Sequence, residues 1–124
     1  MKINIQVKRA YNKPHPDDGS RILVDRLWPR GLTRNGLKID DWVKEIAPSN
    51  DLRKWYGHDH KRWEEFKKRY FQELEDRAEL TEQLMKTYGK SRLTLLYAAK
   101  DESFNNATAL KEYLERKAES NPSR

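Results

Sequence analysis

Two short stretches of this chain stay apolar on both faces of an extended backbone. Arg21 to Val24 and Leu93-Thr94-Leu95-Leu96-Tyr97-Ala98-Ala99 run almost without polar interruption. Side chains of a strand alternate between faces, so continuous apolarity means that both faces are covered, as in a parallel sheet. The 124 residues suffice for one domain and one core. Apolar residues make up 35% of the chain against 37% charged, so that core must lean on large side chains, here four Trp, six Tyr and three Phe. Their helical and strand spacing argues against disorder.

Around these strands the pattern is readable. Ile3, Ile5 and Val7 alternate with Asn4, Gln6 and Lys8, the period of a half-exposed strand at a sheet edge. Residues 10–20 carry Pro14, Pro16 and Asp17-Asp18-Gly19 and read as a loop. Pro29 to Gly36 is loop or one short turn, and Asp41 to Ile46 is expected as a short strand. Ser49 suits an N-cap, Asp51 the positive end of a helix dipole, and Gly57 a helix end. Trp63, Phe66, Tyr70 and Leu74 form the apolar stripe of an amphipathic helix over about His60 to Glu75. Leu80, Leu84 and Tyr88 continue in helical spacing to Gly89, and Ala107, Leu110 and Leu114 mark a last helix. The expectation is a single α/β domain over residues 1–118, with a three- or four-stranded, mostly parallel sheet and helices packed against it. Residues 119–124 are expected to be a frayed tail.

Lys plus Arg exceed Asp plus Glu by 26 to 20, a formal charge of +6. This favours anionic partners but is also compatible with an ordinary basic surface. Without cysteine there are no disulfides, thiolate ligands or thiol nucleophile. Met1-Lys2-Ile3-Asn4-Ile5 carries no signal-peptide segment, and no run reaches transmembrane length. A cytoplasmic protein without a membrane partner is expected.

The first buried strand runs directly into Asp25-Arg26-Leu27-Trp28-Pro29-Arg30-Gly31. Charges at the end of a buried strand are costly unless paired or in use. If the two buried strands are parallel neighbours, their C-terminal ends share the sheet edge where open α/β sheets bind ligands. One strand would bring Asp25, Arg26 and Arg30 there, the other Lys100, Asp101 and Asn105, with Asn105 near the start of the last helix. Arginines would clamp an anion, and Asp25 would act as general base or orienting group. The competing account pairs Asp25 with Arg21, Arg26 or Arg30 as a structural network. Trp28 is expected in the core. His58-Asp59-His60 lacks an obvious third ligand and reads as a helix-start turn, so neither metal nor cofactor is expected. No Gly-rich nucleotide loop and no nucleophile elbow occurs.

Taken together, Lys8-Arg9, Asp18-Gly19, Arg21 and Val24 to Gly31 resemble the signature of YeaO-type proteins of the domain-of-unknown-function 488 family. Trp42 to Ser49 with Leu52-Arg53-Lys54 resembles its second block, and Leu93 to Lys100 with Asn105 and Ala107 its third. The resemblance implies that the first two strands run parallel, with the Pro-rich loop replacing a helix of longer members. Those members carry Cys and His near the last strand, where this chain has Tyr97-Ala98-Ala99-Lys100 and Asn105-Asn106-Ala107, so thiol or histidine chemistry does not transfer. The matching positions outside the apolar pattern are Arg9, Arg21, Asp25, Arg26, Arg30, Lys44, Ser49, Arg53, Lys100 and Asn105. They focus the leading expectation, a strand-end pocket for a small phosphate-bearing anion with Asp25 as the candidate catalytic group. The alternative is a nucleic-acid-binding or protein-interaction module that uses a basic surface away from any pocket.

Overall fold

The computed structural model describes residues 3–120. Its centre is a four-stranded sheet in the order β1-β4-β2-β3, formed by β1 (Ile5–Arg9), β2 (Ser20–Leu23), β3 (Asp41–Trp42) and β4 (Leu93–Tyr97). All neighbours are parallel, with Ile5 opposite Leu93, Arg21 opposite Thr94, and Ile22 opposite both Leu95 and Asp41. All four C-terminal ends therefore open on one edge. Five helices complete the domain: α1 (Arg34–Leu37), α2 (Asn50–Tyr56), α3 (Trp63–Glu75), α4 (Ala78–Tyr88) and α5 (Asn106–Ser120).

The two central strands are covered on both sides, as their apolar runs require. Ile22, Val24, Leu95 and Tyr97 face the larger core with Phe66, Tyr70, Leu74, Leu110 and Leu114. Leu23 and Leu96 face a smaller cluster with Ala10 and Leu37, against which Trp28, Ile39 and Trp42 pack. Leu23, Val24, Leu95 and Leu96 are completely buried, and each such aliphatic contributes about 1.5–3 kcal/mol. Edge strand β1 buries Ile5 and leaves its other residues partly exposed.

Residues 10–19 carry the chain from β1 across β4 to β2 through a one-turn 3₁₀ segment, Pro16–Asp18. Gly19 ends it with φ +66° so close to Arg92 that a Cβ would lie 2.2 Å from the Arg92 carbonyl oxygen. This approach lets the Ser20 N–H donate to that oxygen at 2.9 Å and start β2 in register. Asp41 to Ile46 is strand only over its first two residues, and Lys44–Ile46 turns into a 3₁₀ segment that leads into α2. Ser49 caps α2 by accepting from the Leu52 N–H, and Gly57, with φ +53°, ends it. The stripe Trp63, Phe66, Tyr70 and Leu74 is buried along α3. Tyr70 also satisfies its hydroxyl by donating to the Ile46 carbonyl at 2.6 Å.

Helix α5 runs to Ser120, past Glu119, where the tail was expected to begin. The rest of that expected tail, residues 121–124, lies outside the described residues. Among the described residues, no helix is long and apolar enough to cross a membrane.

Candidate functional site

The C-terminal ends of β2 and β4, the start of α5 and one face of α2 surround a cleft of about 600 Å³. That volume lies within the range of small-ligand sites. Its lining carries four cations, Arg26, Arg30, Arg53 and Lys54, and one carboxylate, Asp25. Among the described residues, none of these four cations is in an ion pair.

Asp25 follows β2 by two residues. Its Oδ2 accepts the Ala98 N–H at 2.8 Å, and its carbonyl accepts the Trp42 indole N–H at 2.7 Å. The Asn106 amide donates to the neighbouring Val24 carbonyl at 3.1 Å. Three groups thus fix the strand end in place. Burial pushes the Asp25 pKa above its ordinary value, against the opposing pull of the Ala98 N–H, the Asn106 amide and the Arg53 charge. Among the described residues, no arginine side chain lies at hydrogen-bond distance from its carboxylate; the Ala98 N–H does.

Arg26 reaches across the cleft wall to the Ala47 carbonyl at 3.4 Å, while its Nε is buried without a hydrogen-bond partner. Tyr56, only 6% exposed at the end of α2, likewise has a buried hydroxyl without a partner. Burial, followed by the charges of Asp101 and Asp59, raises the Tyr56 pKa. Both Arg26 and Tyr56 line the cleft, so two buried side-chain donors without a hydrogen-bond partner meet there. Native proteins satisfy nearly all such groups, so two in one cleft mark it out.

The rim is apolar. Leu27 is 66% exposed and Tyr11 41%, and they are the exposed large hydrophobic residues among those described. Tyr11 is held by its hydroxyl, which donates to the Arg30 carbonyl at 2.8 Å, and by the Arg9 guanidinium, 4.9 Å from the ring centre.

A family model described as the inactive DUF488-N3 subclade matches residues 4–123. The chain belongs to the DUF488 family. An uncharacterised Escherichia coli protein, YeaO, is 42% identical over 112 residues, 90% of this chain and 97% of that one. Uncharacterised proteins of Mycobacterium tuberculosis and Mycobacterium bovis are 41% identical over 110 residues, covering 89% of this chain and 92% of theirs. No solved structure matches the chain significantly.

In this DUF488 protein the strand-end edge brings together Asp25, Arg26, Arg30, Arg53 and Asn105. Asn105 is a helix cap: its Oδ1 accepts the Thr108 N–H and its Nδ2 donates to the Asp101 carbonyl, both at 2.9 Å. Its side chain is therefore engaged at both ends. Arg9 touches only the rim, donating to the Ala99 carbonyl at 3.0 Å.

Four expected contacts fall outside the cleft lining, Arg9 and three others. Arg21 lies at the opposite end of β2, 5% exposed, bound to Asp18 at 2.6 Å and to the Leu37 carbonyl at 2.7 Å. Lys44 lies over the Trp42 ring at 5.1 Å, and Lys100 is exposed beyond β4. Trp28 packs edge-on against Trp42 in the smaller cluster and also lines the cleft.

His58-Asp59-His60 forms a helix start, with Asp59 accepting the Lys61 N–H and His60 paired to Asp101 at 2.7 Å. Among the described residues, no three His, Cys, Asp or Glu side chains converge as metal ligands would. The lining residues missed by the sequence include Tyr11, Leu27, Lys54, Tyr56 and Phe104. Lys54 had a signal, as the neighbour of Arg53 on α2; the exposure of Tyr11 and Leu27 had none.

Proposed function

We propose that this DUF488 protein binds a small phosphate-bearing anion in the strand-end cleft and acts as a binding protein there. The observation that carries this reading is the pair of buried, unpartnered donors, Arg26 Nε and Tyr56 Oη, in a cleft with three further cations. A buried donor without an acceptor costs about 1–3 kcal/mol, and an acceptor-rich anion would remove that cost. Guanidinium groups match phosphate oxygens bidentately, and their interaction strengthens when water is excluded.

Asp25 serves this reading as a positioning group. Its Oδ2 is committed to the Ala98 N–H, which holds the Arg26–Arg30 loop against the end of β4. Asp25 is the one carboxylate of the lining and its Oδ2 is already engaged by the Ala98 N–H, so binding is better supported than turnover. The description of the matching subclade as inactive agrees with that preference.

Calorimetric titration with inorganic pyrophosphate at low salt tests the proposal. The expected result is saturable binding at one site per chain, weakened at least about tenfold in an Arg30→Gln/Arg53→Gln double variant. Absence of saturable binding, or equal affinity in the double variant, would overturn it. Retention on nucleic acid that pyrophosphate does not displace would favour the basic-surface alternative instead.

A further inference from the structure

Phosphate alone would leave most of the cleft, with its exposed Tyr11 and Leu27, unused. We infer that the ligand is an aromatic base carrying a phosphate, a nucleoside phosphate unit, with the phosphate on the arginines and the base toward Tyr11 and Leu27. This rests on the anion reading above and adds a substrate class to it.

The rim carries the inference. Exposed large hydrophobic residues are commonplace singly, but here both of those described flank one cleft. Tyr11 is held in position by Arg30 and Arg9, so a planar ligand would meet a ring already ordered. Trp28, Tyr56, His58, Phe66 and Phe104 add ring surface to the lining. Ring-rich walls with interspersed arginines suit a flat π-system better than an alkyl chain, because both rings and guanidinium planes stack on it. The Tyr56 hydroxyl supplies a donor for a ring or sugar acceptor in the same space.

A competition series against the four nucleoside monophosphates, ribose phosphate and octyl phosphate tests this. The best nucleoside monophosphate is expected to bind at least about tenfold more tightly than ribose phosphate or octyl phosphate. Tyr11→Ala is expected to erase most of that preference ratio, and Tyr11→Phe, which keeps the ring but not its bond to Arg30, to keep more of it than Tyr11→Ala does. Equal affinity for nucleotide and ribose phosphate, or for nucleotide and octyl phosphate, would overturn the inference while the anion reading stood. Loss of binding to every phosphate compound, pyrophosphate included, would overturn both. A phosphorylated single-stranded oligonucleotide forms the last arm: tighter binding than the mononucleotide assigns the base to a strand end, and weaker binding assigns it to a free nucleotide.

Discussion

Oδ2 of Asp25 accepts the backbone N–H of Ala98 at 2.8 Å, so the acid that heads the cleft wall also fastens the end of β2 to the end of β4. Burial raises its pKa above the ordinary 3.8. The folded state therefore holds this proton more tightly than the unfolded state. Its stabilising effect is complete below the unfolded value and is lost as pH rises through the folded value. Asp25→Asn keeps an oxygen for the Ala98 N–H and removes the charge. Urea midpoints measured from about pH 4 to pH 7 should show the variant gaining on the wild type as pH rises. A difference that is flat in pH, or that moves the other way, would count against this assignment.

Asp18 behaves in the opposite sense. Burial alone would raise its pKa, but the His15 N–H and the bonds from Lys8 and Arg21 outweigh it and hold the group at about 2. Lys8 and Arg21 lie 3.0 and 2.6 Å from its carboxylate. The resulting stability is present above the unfolded value of 3.8 and is lost as pH falls toward about 2. Asp18→Asn strands the buried Arg21 charge and should cost about 3 kcal/mol at neutral pH. That cost should shrink in acid; a loss that is equal at both pH values would contradict the pairing.

The reach of the sequence is clearest in these two acids. Asp25 stood out because a charge at the end of an apolar strand needs a reason, and it does line the cleft. Arg21 was marked by the family resemblance and as a possible partner of Asp25, but it is a structural partner of Asp18, a residue of the loop that crosses β4. Nothing local distinguishes the two cases; the crossing of residues 10–19 decides it. Strand and helix identities were legible because strands β2 and β4 are apolar on both faces and α3 keeps one stripe. The parallel order of β1 and β2 came from family resemblance. The Asp41 to Ile46 segment divided differently because only Asp41 and Trp42 reach the sheet edge. Tyr11 and Leu27 depend on which neighbours fail to cover them, which one sequence does not encode visibly.

Ser49 links two helices as well as capping one. Its Oγ accepts the Leu52 N–H at 3.1 Å and donates to Glu73 on α3 at 2.6 Å. Ser49→Ala should destabilise the fold by about 1 kcal/mol, with part of that loss shared with Glu73→Gln in a double-mutant cycle. Strictly additive losses from the two changes would show that the Ser49–Glu73 bond carries no energy.

Tyr56→Phe separates stability from binding. Removing a buried hydroxyl without a partner should raise stability by about 1 kcal/mol in thermal or urea unfolding. The same change should weaken pyrophosphate or nucleotide binding several-fold. A destabilised variant with unaltered binding would mean that the hydroxyl serves the core and not the cleft.

The most direct measurement is a residue-resolved NMR titration of the backbone amides with inorganic pyrophosphate. Anion binding in the cleft requires saturable shifts concentrated at Asp25, Arg26, Arg30, Arg53, Ala98, Ala99 and Asn106, around the strand ends. Shifts scattered over the outer faces of α3 and α4, or no saturable shifts at all, would contradict it.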